Sequence, residues 1–321
     1  MDSAPTLAEK LNYFRTCNSL QVSDTSKEIF LPEVLPTAYL DGLDNEPDRI
    51  LCLRACLISW AISSGERIPR EMQLRTVLAC WKKSDTLVSA RTGSGKTLPM
   101  ALTILLDDPA MNYKTITISP LKRLQTTHEN DFNTRYGVDT VVINEDTPRD
   151  EKWWNVCHQF LITSILVSSH SSTHYAHLQE NVYNLKTNTP GRARHLIVTV
   201  EQLFKAKEGH YSRMGQLIRK SAFQKLLARI NVDEAHFIHT AGIKQHGVDP
   251  FRPAWMNCAL CLQARFLGIF FQQPGHLIFA KRSSLRSCVQ TMSRGAFGWC
   301  LRGAGRERAL SIRCTAHYEE R

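Results

Sequence analysis

The sequence predicts an α/β fold in which a mostly parallel sheet is covered by helices on both faces. From about Arg67 onward, short β-rich apolar runs alternate with helical patterns, which is typical of crossover units joining parallel strands. The runs are Thr86–Ala90, Thr115–Ser119, Thr140–Ile143, Leu196–Thr199 and Ile230–Val232. A glycine-rich turn follows the first run and an acidic pair follows the last. Both sites of interest therefore lie at strand ends, where open parallel sheets place their ligands.

Composition and length indicate an intracellular soluble protein with a substantial core. The chain has 321 residues, of which 43% are hydrophobic and 22% charged, as in ordinary globular proteins. The N-terminus lacks the basic-then-apolar order of a signal peptide, and the apolar run 50–62 is too short to span a bilayer. The ten cysteines are scattered and no export signal accompanies them, which favours reduced thiols.

Three segments differ in texture. Residues 1–66 read as a helical N-terminal extension, residues 67–263 as the α/β domain, and residues 264–321 as an atypical basic tail for which disorder is one interpretation. The tail holds ten Lys/Arg and three Asp/Glu, so it carries +7 of the net +10. A frameshifted or intron-derived reading is one hypothesis for it. The Ser/His-rich stretch 157–180 favours a solvated inserted loop over a metal site.

The glycine-rich turn, within residues 85–97, has the strand–loop–helix context of a phosphate-binding loop. Its glycines permit a tight turn, Lys96 would neutralise the β/γ-phosphates and Thr97 would ligate Mg²⁺. The strict pattern begins with glycine, and that position is Ala90 here, so a plain surface turn before a helix is the alternative. The residues expected to bind nucleotide in this loop are Thr92, Gly93, Ser94, Gly95, Lys96 and Thr97.

The acidic pair Asp233-Glu234 begins the tetrapeptide DEAH. In a nucleotide hydrolase the first carboxylate holds Mg²⁺, and the second orients or deprotonates the attacking water. The alternative is a helix N-terminus with acidic residues that favour its dipole. Two such sites in this order predict catalytic roles for Asp233, Glu234 and Lys96.

With these motifs the sequence resembles the superfamily 2 helicases, and within them the RecQ-like DNA helicases. Arg70 and Gln73 lie where that family reads adenine, and the DEAH form is the one RecQ proteins use. Three further stretches fit the family's motif Ia, motif Ib and the end of its aromatic-rich loop: Ser119–Gln125, Ile197–Leu203 and Phe251–Trp255.

The resemblance implies a RecA-like lobe that binds ATP and Mg²⁺ and couples hydrolysis to DNA unwinding. It implies single-stranded DNA or an unwinding junction as partner, no membrane, and a nuclear location. Aromatic faces suit base stacking and basic side chains suit phosphates. The residues expected to contact nucleic acid are Lys122, Arg123, Phe251, Arg252 and Trp255.

Departures from the family pattern leave a second interpretation open. Arg91 replaces the usual proline, the early Trp-Gly after the DEAH tetrapeptide is missing, and nothing after Trp255 resembles motif III or a second lobe. The chain could therefore be a non-catalytic nucleotide- or nucleic-acid-binding fragment, or a partner chain could supply the second lobe. Cys258 and Cys261 have CxxC spacing, but no compatible second pair follows, so no zinc is predicted.

Overall fold

The structure, a computed structural model, describes residues 5–90, 93–148, 154, 183–184, 189–190, 192–204, 209–242, 248–255 and 276–281. Within these ranges a six-stranded sheet is flanked by helices, and more helices form the N-terminal region. The α/β class predicted from the alternating runs is confirmed. No helix in the described ranges is long and apolar enough to cross a bilayer.

The element bounds are as follows. The helices are α1 (Leu7–Thr16), α2 (Ser19–Ile29), α3 (Thr37–Asp41), α4 (Glu46–Ile62), α5 (Glu71–Trp81), α6 (Thr97–Leu106), α7 (Lys122–Asn130), α8 (Arg213–Leu217), α9 (Ser221–Leu226) and α10 (Phe237–Thr240). The strands are β1 (Thr86–Ser89), β2 (Lys114–Ile118), β3 (Thr140–Ile143), β4 (Tyr183–Asn184), β5 (Thr189–Pro190), β6 (His195–Val198), β7 (Leu227–Val232) and β8 (His276–Lys281). Single turns of 3₁₀ helix cover Pro109–Met111 and Val200–Leu203, and a π-helical turn covers Asp131–Arg135.

Side-chain caps define the starts of the N-terminal helices. Thr6 and Asn18 each form a capping box with the residue three positions later, and the Asn45 side chain accepts from the Asp48 N–H at 2.8 Å. These caps satisfy N–H groups that have no partner within the helix. At the other end of α1, the Arg54 guanidinium donates to backbone carbonyls, including that of Cys17 at 2.9 Å. The helix packing is thereby tied together by polar contacts as well as by apolar burial.

The N-terminal helices and the α/β part share one apolar core. Leu57 on α4, Val77 on α5 and Leu102 on α6 are all fully buried in a single cluster that extends to Phe132. Helix α4 contacts α1, α2, α5 and α6. A helix buried on nearly all sides reads as apolar all round, which explains the long apolar run in α4. A second cluster includes Trp154 and covers β2, β3, β6 and β7.

The strand order in the large sheet is β1-β8-β7-β2-β6-β3. Strands β7, β2, β6 and β3 pair in parallel, for example Ile118 with Val198 and with Val232. Strand β8 is antiparallel to both of its neighbours, β1 and β7. Hence β1 runs in the same direction as β7, and the carboxyl ends of all the parallel strands meet at one edge.

Strand β8 comes from the segment that the sequence analysis treated as a basic tail. It lies between the strand before the phosphate-binding loop and the strand before the DEAH tetrapeptide, with Ser89 paired to His276 and Val232 to Ile278. Residues 264–275 and 282–321 of that segment lie outside the described residues. The helical pattern predicted for residues 1–66 corresponds to α1–α4.

A buried polar network crosses the middle of the parallel strands. The ring of His195 on β6 contacts the Thr117 hydroxyl at 2.7 Å and the Thr140 hydroxyl at 3.2 Å, and the Asn231 amide donates to Thr117 at 3.2 Å. Phe132 packs on the imidazole with ring centroids 4.3 Å apart. Because His195 is fully buried, desolvation lowers its pKa to about 3, and the ring is neutral in the folded protein.

Candidate functional site

The strand directions bring every predicted motif to one edge of the sheet. The phosphate-binding loop follows β1, the segment beginning at Ser119 follows β2, the turn Val200–Leu203 follows β6, and Asp233 follows β7. This is the edge at which open α/β sheets bind ligands. The sequence order alone places the motifs far apart, whereas the parallel pairing makes them neighbours.

The phosphate-binding loop needs its glycines. Gly93 and Gly95 have φ of 83° and 81°, in the left-handed region that favours glycine. A Cβ at Gly95 would lie 2.5 Å from Nε2 of Gln73, so a side chain there would collide with that amide. Thr92, which was predicted to bind nucleotide, lies outside the described residues, as does Arg91.

Gln73 holds the phosphate-binding loop through hydrogen bonds to backbone. It is buried, its Oε1 accepts from the backbone N–H of Arg70 at 2.8 Å, and its Nε2 donates to the Gly95 carbonyl at 3.0 Å. Both ends of the amide are therefore engaged with backbone in this conformation. The predicted role of Gln73 in reading adenine would require these two hydrogen bonds to break. The Arg70 side chain is exposed beside the loop.

Lys96 points back into the loop. Its Nζ donates to the carbonyl of Ala90 at 2.9 Å, the position where the strict pattern has glycine. Partial burial lowers its pKa, while the charges of Glu234 and Asp233 oppose that change. The lysine and the acidic pair thus act on each other across the strand ends. Thr97, half-buried, is the first residue of α6.

The acidic pair is held in a strained and desolvated turn. Glu234 has φ of 50°, unusual for a residue with a side chain, and its N–H donates to Oδ1 of Asp233 at 3.0 Å. Asp233 is buried, and desolvation together with the charge of Glu234 raises its pKa to about 6. Nδ1 of His236 lies 3.1 Å from Oε2 of Glu234. A pair so arranged is suited to a cation or a proton, and a simple helix cap does not require that burial.

A cavity of about 430 Å³ adjoins the loop. Gln73 and the loop residues Gly93 to Gly95 line one side of it. The other sides come from the end of α4, from the segment between α4 and α5, and from the π-helical turn after α7 with Tyr136. The wall residues are Ser59, Ile62, Ser63, Glu66, Arg67, Ile68, Arg70, Asp131, Arg135 and Tyr136. The N-terminal helices, to which the sequence analysis assigned no chemistry, therefore line the space beside the candidate phosphate site.

His128 is a residue near the site that sequence reasoning missed. It lies on α7, is buried, and its Nδ1 is 3.9 Å from Oδ2 of Asp233 without a hydrogen-bond partner in the described structure. Desolvation lowers its pKa. A histidine in the last turn of a short polar helix carries no distinguishing pattern in the sequence, so only the packing of α7 against the strand ends reveals it.

Of the predicted nucleic-acid residues on α7, Arg123 is exposed and Lys122 is paired. Nζ of Lys122 lies 2.8 Å from Glu145 and 2.7 Å from Asp146, and the hydrogen bond to Asp146 followed by that to Glu145 raises its pKa. A phosphate would have to displace these carboxylates to reach Lys122. Leu121, just before it, is 49% exposed.

The loop after the DEAH tetrapeptide separates its three predicted contact residues. Phe251 is 86% exposed and free to stack on a base. Arg252 forms two 2.8 Å contacts with the Glu201 carboxylate and also donates to the Pro120 carbonyl. Trp255 is fully buried beside Phe237, with ring centroids 6.1 Å apart. In this conformation Trp255 packs in the core and does not stack on a base, because the chain turns inward after Arg252.

The residues at this edge fit a magnesium nucleotide. Carboxylate and hydroxyl oxygens are ligands that Mg²⁺ prefers, and Asp233 and Thr97 offer them close to the phosphate-binding loop. Asp233 is buried with its pKa raised, so a nearby cation would favour its charged form. The Ser94 hydroxyl is buried in the loop without a partner in the described structure. Among the described residues, no cluster of three or more His, Cys, Asp or Glu could hold a metal by itself. The pair at 258–261 lies outside them.

Comparison with known proteins agrees with this geometry. Residues 70–246 match the family model described as DEAD/DEAH box helicase. The chain is 30% identical over 119 residues to the probable ATP-dependent RNA helicase DDX52 of Mus musculus, and 31% identical to that of Bos taurus. Each match covers 36% of this chain and 18% of the relative.

The matched interval contains the phosphate-binding loop, the segment before α7 and the DEAH tetrapeptide, and it spans more than half of the chain. The superfamily 2 helicase part of the sequence-based resemblance is confirmed. The RecQ part stays a prediction, since the relatives named above are RNA helicases. The chain belongs to the DEAD/DEAH box helicase family.

Proposed function

We propose that this chain binds magnesium ATP at the carboxyl edge of its sheet and hydrolyses it in response to single-stranded nucleic acid, with DNA as the preferred strand. The observation that carries the proposal is the placement of Lys96, after β1, and of the acidic pair Asp233-Glu234, after β7, at the same edge of the sheet. The two carboxylate charges oppose the lowering of the Lys96 pKa, as expected for groups that lie near one another. If the glycine-rich loop were a plain surface turn and the acidic pair only a helix N-terminus, nothing would require them to lie at the same edge of the sheet.

Lys96 would exchange one partner for another when nucleotide binds. In this structure its ammonium donates to the Ala90 carbonyl, which is a neutral acceptor. A phosphate oxygen is a stronger, charged acceptor, and successive N–H groups of the loop favour an anion at the start of α6.

Glu234 is the residue we assign to the attacking water. Its carboxylate is less buried than that of Asp233, and a carboxylate at hydrogen-bond distance from a water can orient it or accept its proton. Asp233 and Thr97 would hold Mg²⁺, which supplies charge neutralisation for the phosphates when bound.

The cavity beside the loop is the space we assign to the nucleoside. Its walls carry hydroxyls and charges from Ser59, Ser63, Glu66 and Arg135, which suit a ribose and a base edge. Gln73 lines this cavity and donates to the Gly95 carbonyl.

The DNA preference rests on the likeness of Phe251-Arg252-Pro253 to the RecQ aromatic-rich loop and on the 86% exposure of Phe251. RNA is the second candidate, which the names of the relatives favour. The match spans about a fifth of those relatives' length, so unwinding of a duplex by this chain is a proposal as well. Binding of both ligands without turnover is the non-catalytic alternative.

An ATPase assay with three arms tests the proposal: no nucleic acid, single-stranded DNA, and single-stranded RNA of the same sequence. We expect turnover to rise most with DNA and Lys96→Ala to abolish nucleotide binding. Lys83→Ala, a change at an exposed lysine before β1, is the matched control and should leave binding intact. Greater stimulation by RNA would replace the DNA assignment, and binding without turnover in any arm would favour the non-catalytic alternative.

A further inference from the structure

The Arg252 side chain joins segments that follow three neighbouring strands. Its Nε donates to Oε1 and its Nη2 to Oε2 of Glu201, both at 2.8 Å, while Nη1 donates to the Pro120 carbonyl. Pro120 follows β2, Glu201 lies in the 3₁₀ turn after β6, and Arg252 itself belongs to the loop after β7. These three strands are adjacent in the sheet, in the order β7-β2-β6.

All three nitrogens of the Arg252 guanidinium already donate hydrogen bonds within the protein. In this bidentate arginine–carboxylate pair, two guanidinium nitrogens of Arg252 donate to the two carboxylate oxygens of Glu201. The third nitrogen donates to the Pro120 carbonyl. The Arg252 side chain is 22% exposed and that of Glu201 is 43% exposed. A phosphate would have to compete with an oriented carboxylate already in place.

Backbone hydrogen bonds anchor the loop directly after its exposed aromatic ring. The backbone N–H of Arg252 donates to the Ala241 carbonyl at 2.9 Å, and that of Trp255 to the Arg252 carbonyl at 3.0 Å. Phe251 comes immediately before these hydrogen bonds and is 86% exposed, while the Trp255 side chain at the end of the loop is fully buried in the core. The arginine, which also contacts Pro120, therefore restrains the backbone from which Phe251 faces solvent.

We propose that Arg252 is a positioning residue: paired with Glu201, it clamps the loop 248–255 to the segments after β2 and β6 and so presents Phe251 to a nucleic-acid strand, without itself binding phosphate. The inference rests on the proposed function, since the ligand of the presented surface is single-stranded nucleic acid. The proposal also gives Glu201 a role in binding: although its charge repels nucleic acid, its carboxylate holds Arg252 and through it the loop.

The sign of the Glu201→Gln effect separates positioning from direct contact. If Arg252 acts through the clamp, Glu201→Gln and Arg252→Ala should each weaken binding of a fluorescein-labelled deoxythymidine oligonucleotide by about fivefold, the upper range for a partly exposed ion pair. The dependence of log K on log salt should keep its slope. If Arg252 contacts phosphate, Arg252→Ala should reduce that slope by about 1. Glu201→Gln should then tighten binding, because a negative charge is removed.

The exchanged pair Arg252→Glu with Glu201→Arg supplies a rescue. Under the clamp mechanism it restores most of the affinity that each single charge reversal removes, whereas a phosphate contact at position 252 would be lost completely. The matched control is the Arg192–Asp139 pair, with Nε and Oδ2 3.0 Å apart, at the opposite edge of the sheet. Arg192→Ala should leave oligonucleotide binding unchanged.

Amide hydrogen exchange of residues 248–255 reads the clamp without any nucleic acid. Exchange should accelerate in Glu201→Gln and Arg252→Ala and return toward the parent rate in the exchanged pair. Unchanged exchange in both single variants would overturn the clamp even if the parent binds DNA. Faster exchange in the two single variants, combined with a parent protein that binds neither DNA nor RNA, would uphold the clamp and overturn the proposed function.

Discussion

Glu234 combines a left-handed backbone, a contact with His236 and proximity to Lys96, so its carboxylate has a defined place although its side chain is partly exposed. Strained backbone of this kind persists where the surrounding structure fixes it, and it concentrates at functional sites. The neighbouring Asp233 is buried with a raised pKa. Two adjacent carboxylates with such different surroundings can divide two roles between them.

Glu234→Gln should therefore lower ATP turnover by about 10²–10⁴-fold and leave ATP affinity nearly unchanged. The amide keeps the shape of the side chain but cannot accept a proton from water. Steady-state hydrolysis and titration with a fluorescent ATP analogue measure the two effects separately. Glu28→Gln, at an exposed position on α2, is the matched control. An equal loss of affinity and turnover would instead assign Glu234 to holding the cation.

Gln73→Ala should weaken ATP and GTP by similar factors, about tenfold each. The reason is that the Gln73 amide holds the Gly95 carbonyl and the Arg70 N–H, so its loss loosens the phosphate-binding loop for every nucleotide. Competition titrations with both nucleotides measure the factors. A selective loss of ATP binding, with GTP unaffected, would restore the adenine-reading role that the sequence resemblance implies.

At the scale of single residues, the sequence predicts where the candidate site lies but does not predict which partners its side chains contact. The loop glycines and the acidic pair follow from local spacing, which a sequence displays directly. Trp255 and Arg252 depend on where the loop after the DEAH tetrapeptide turns inward and on a carboxylate 51 positions away. Neither the burial of Trp255 nor the ion pair of Arg252 produces a local sequence pattern. The sequence therefore predicts both residues as surface contacts with nucleic acid.

At the scale of elements, the strands of the parallel sheet were predictable and β8 was not. The five runs identified as strands correspond to β1, β2, β3, β6 and β7, because buried parallel strands read as short continuous apolar runs. Strand β8 is antiparallel and comes from a segment without a clear period. Its position between β1 and β7 depends on contacts far away in the sequence.

The neutral His195 within the β2, β3 and β6 strands predicts acid sensitivity. Below pH 6.5 this histidine takes up a proton in the unfolded chain, but in the folded protein only near pH 3. The unfolded state thus binds more protons in that interval, and the free energy of unfolding should fall by about 2 kcal/mol between pH 7 and pH 5.

His195→Gln should remove that part of the fall while keeping groups that can bond the two threonine hydroxyls. Urea unfolding at pH 7 and pH 5 measures it, and His210→Gln, at an exposed position, is the matched control. An equally steep acid dependence in His195→Gln would show that other groups dominate the titration.

At the scale of the whole molecule, the N-terminal helices and the nucleotide site belong to one packed body. The cluster that contains Leu57 also contains Val77 and Leu102, and the end of α4 lines the cavity beside the phosphate-binding loop. The sequence suggested a boundary at residue 66 because chemistry-bearing motifs begin only after it. Motifs mark where ligands bind, whereas a shared core marks what folds together, and the two need not coincide.

Leu57→Ala should consequently destabilise the helical region and the nucleotide site as a unit. Leu57 is fully buried on α4, and a leucine truncated in a packed core costs about 3 kcal/mol. Urea unfolding followed by circular dichroism and by binding of a fluorescent ATP analogue should give coincident transitions, both shifted to lower urea. Leu20→Ala, at a position 76% exposed on α2, is the matched control and should shift neither. Loss of helical signal with an unshifted nucleotide transition would show instead that the N-terminal helices form an independent unit and that the boundary at residue 66 is a true domain border.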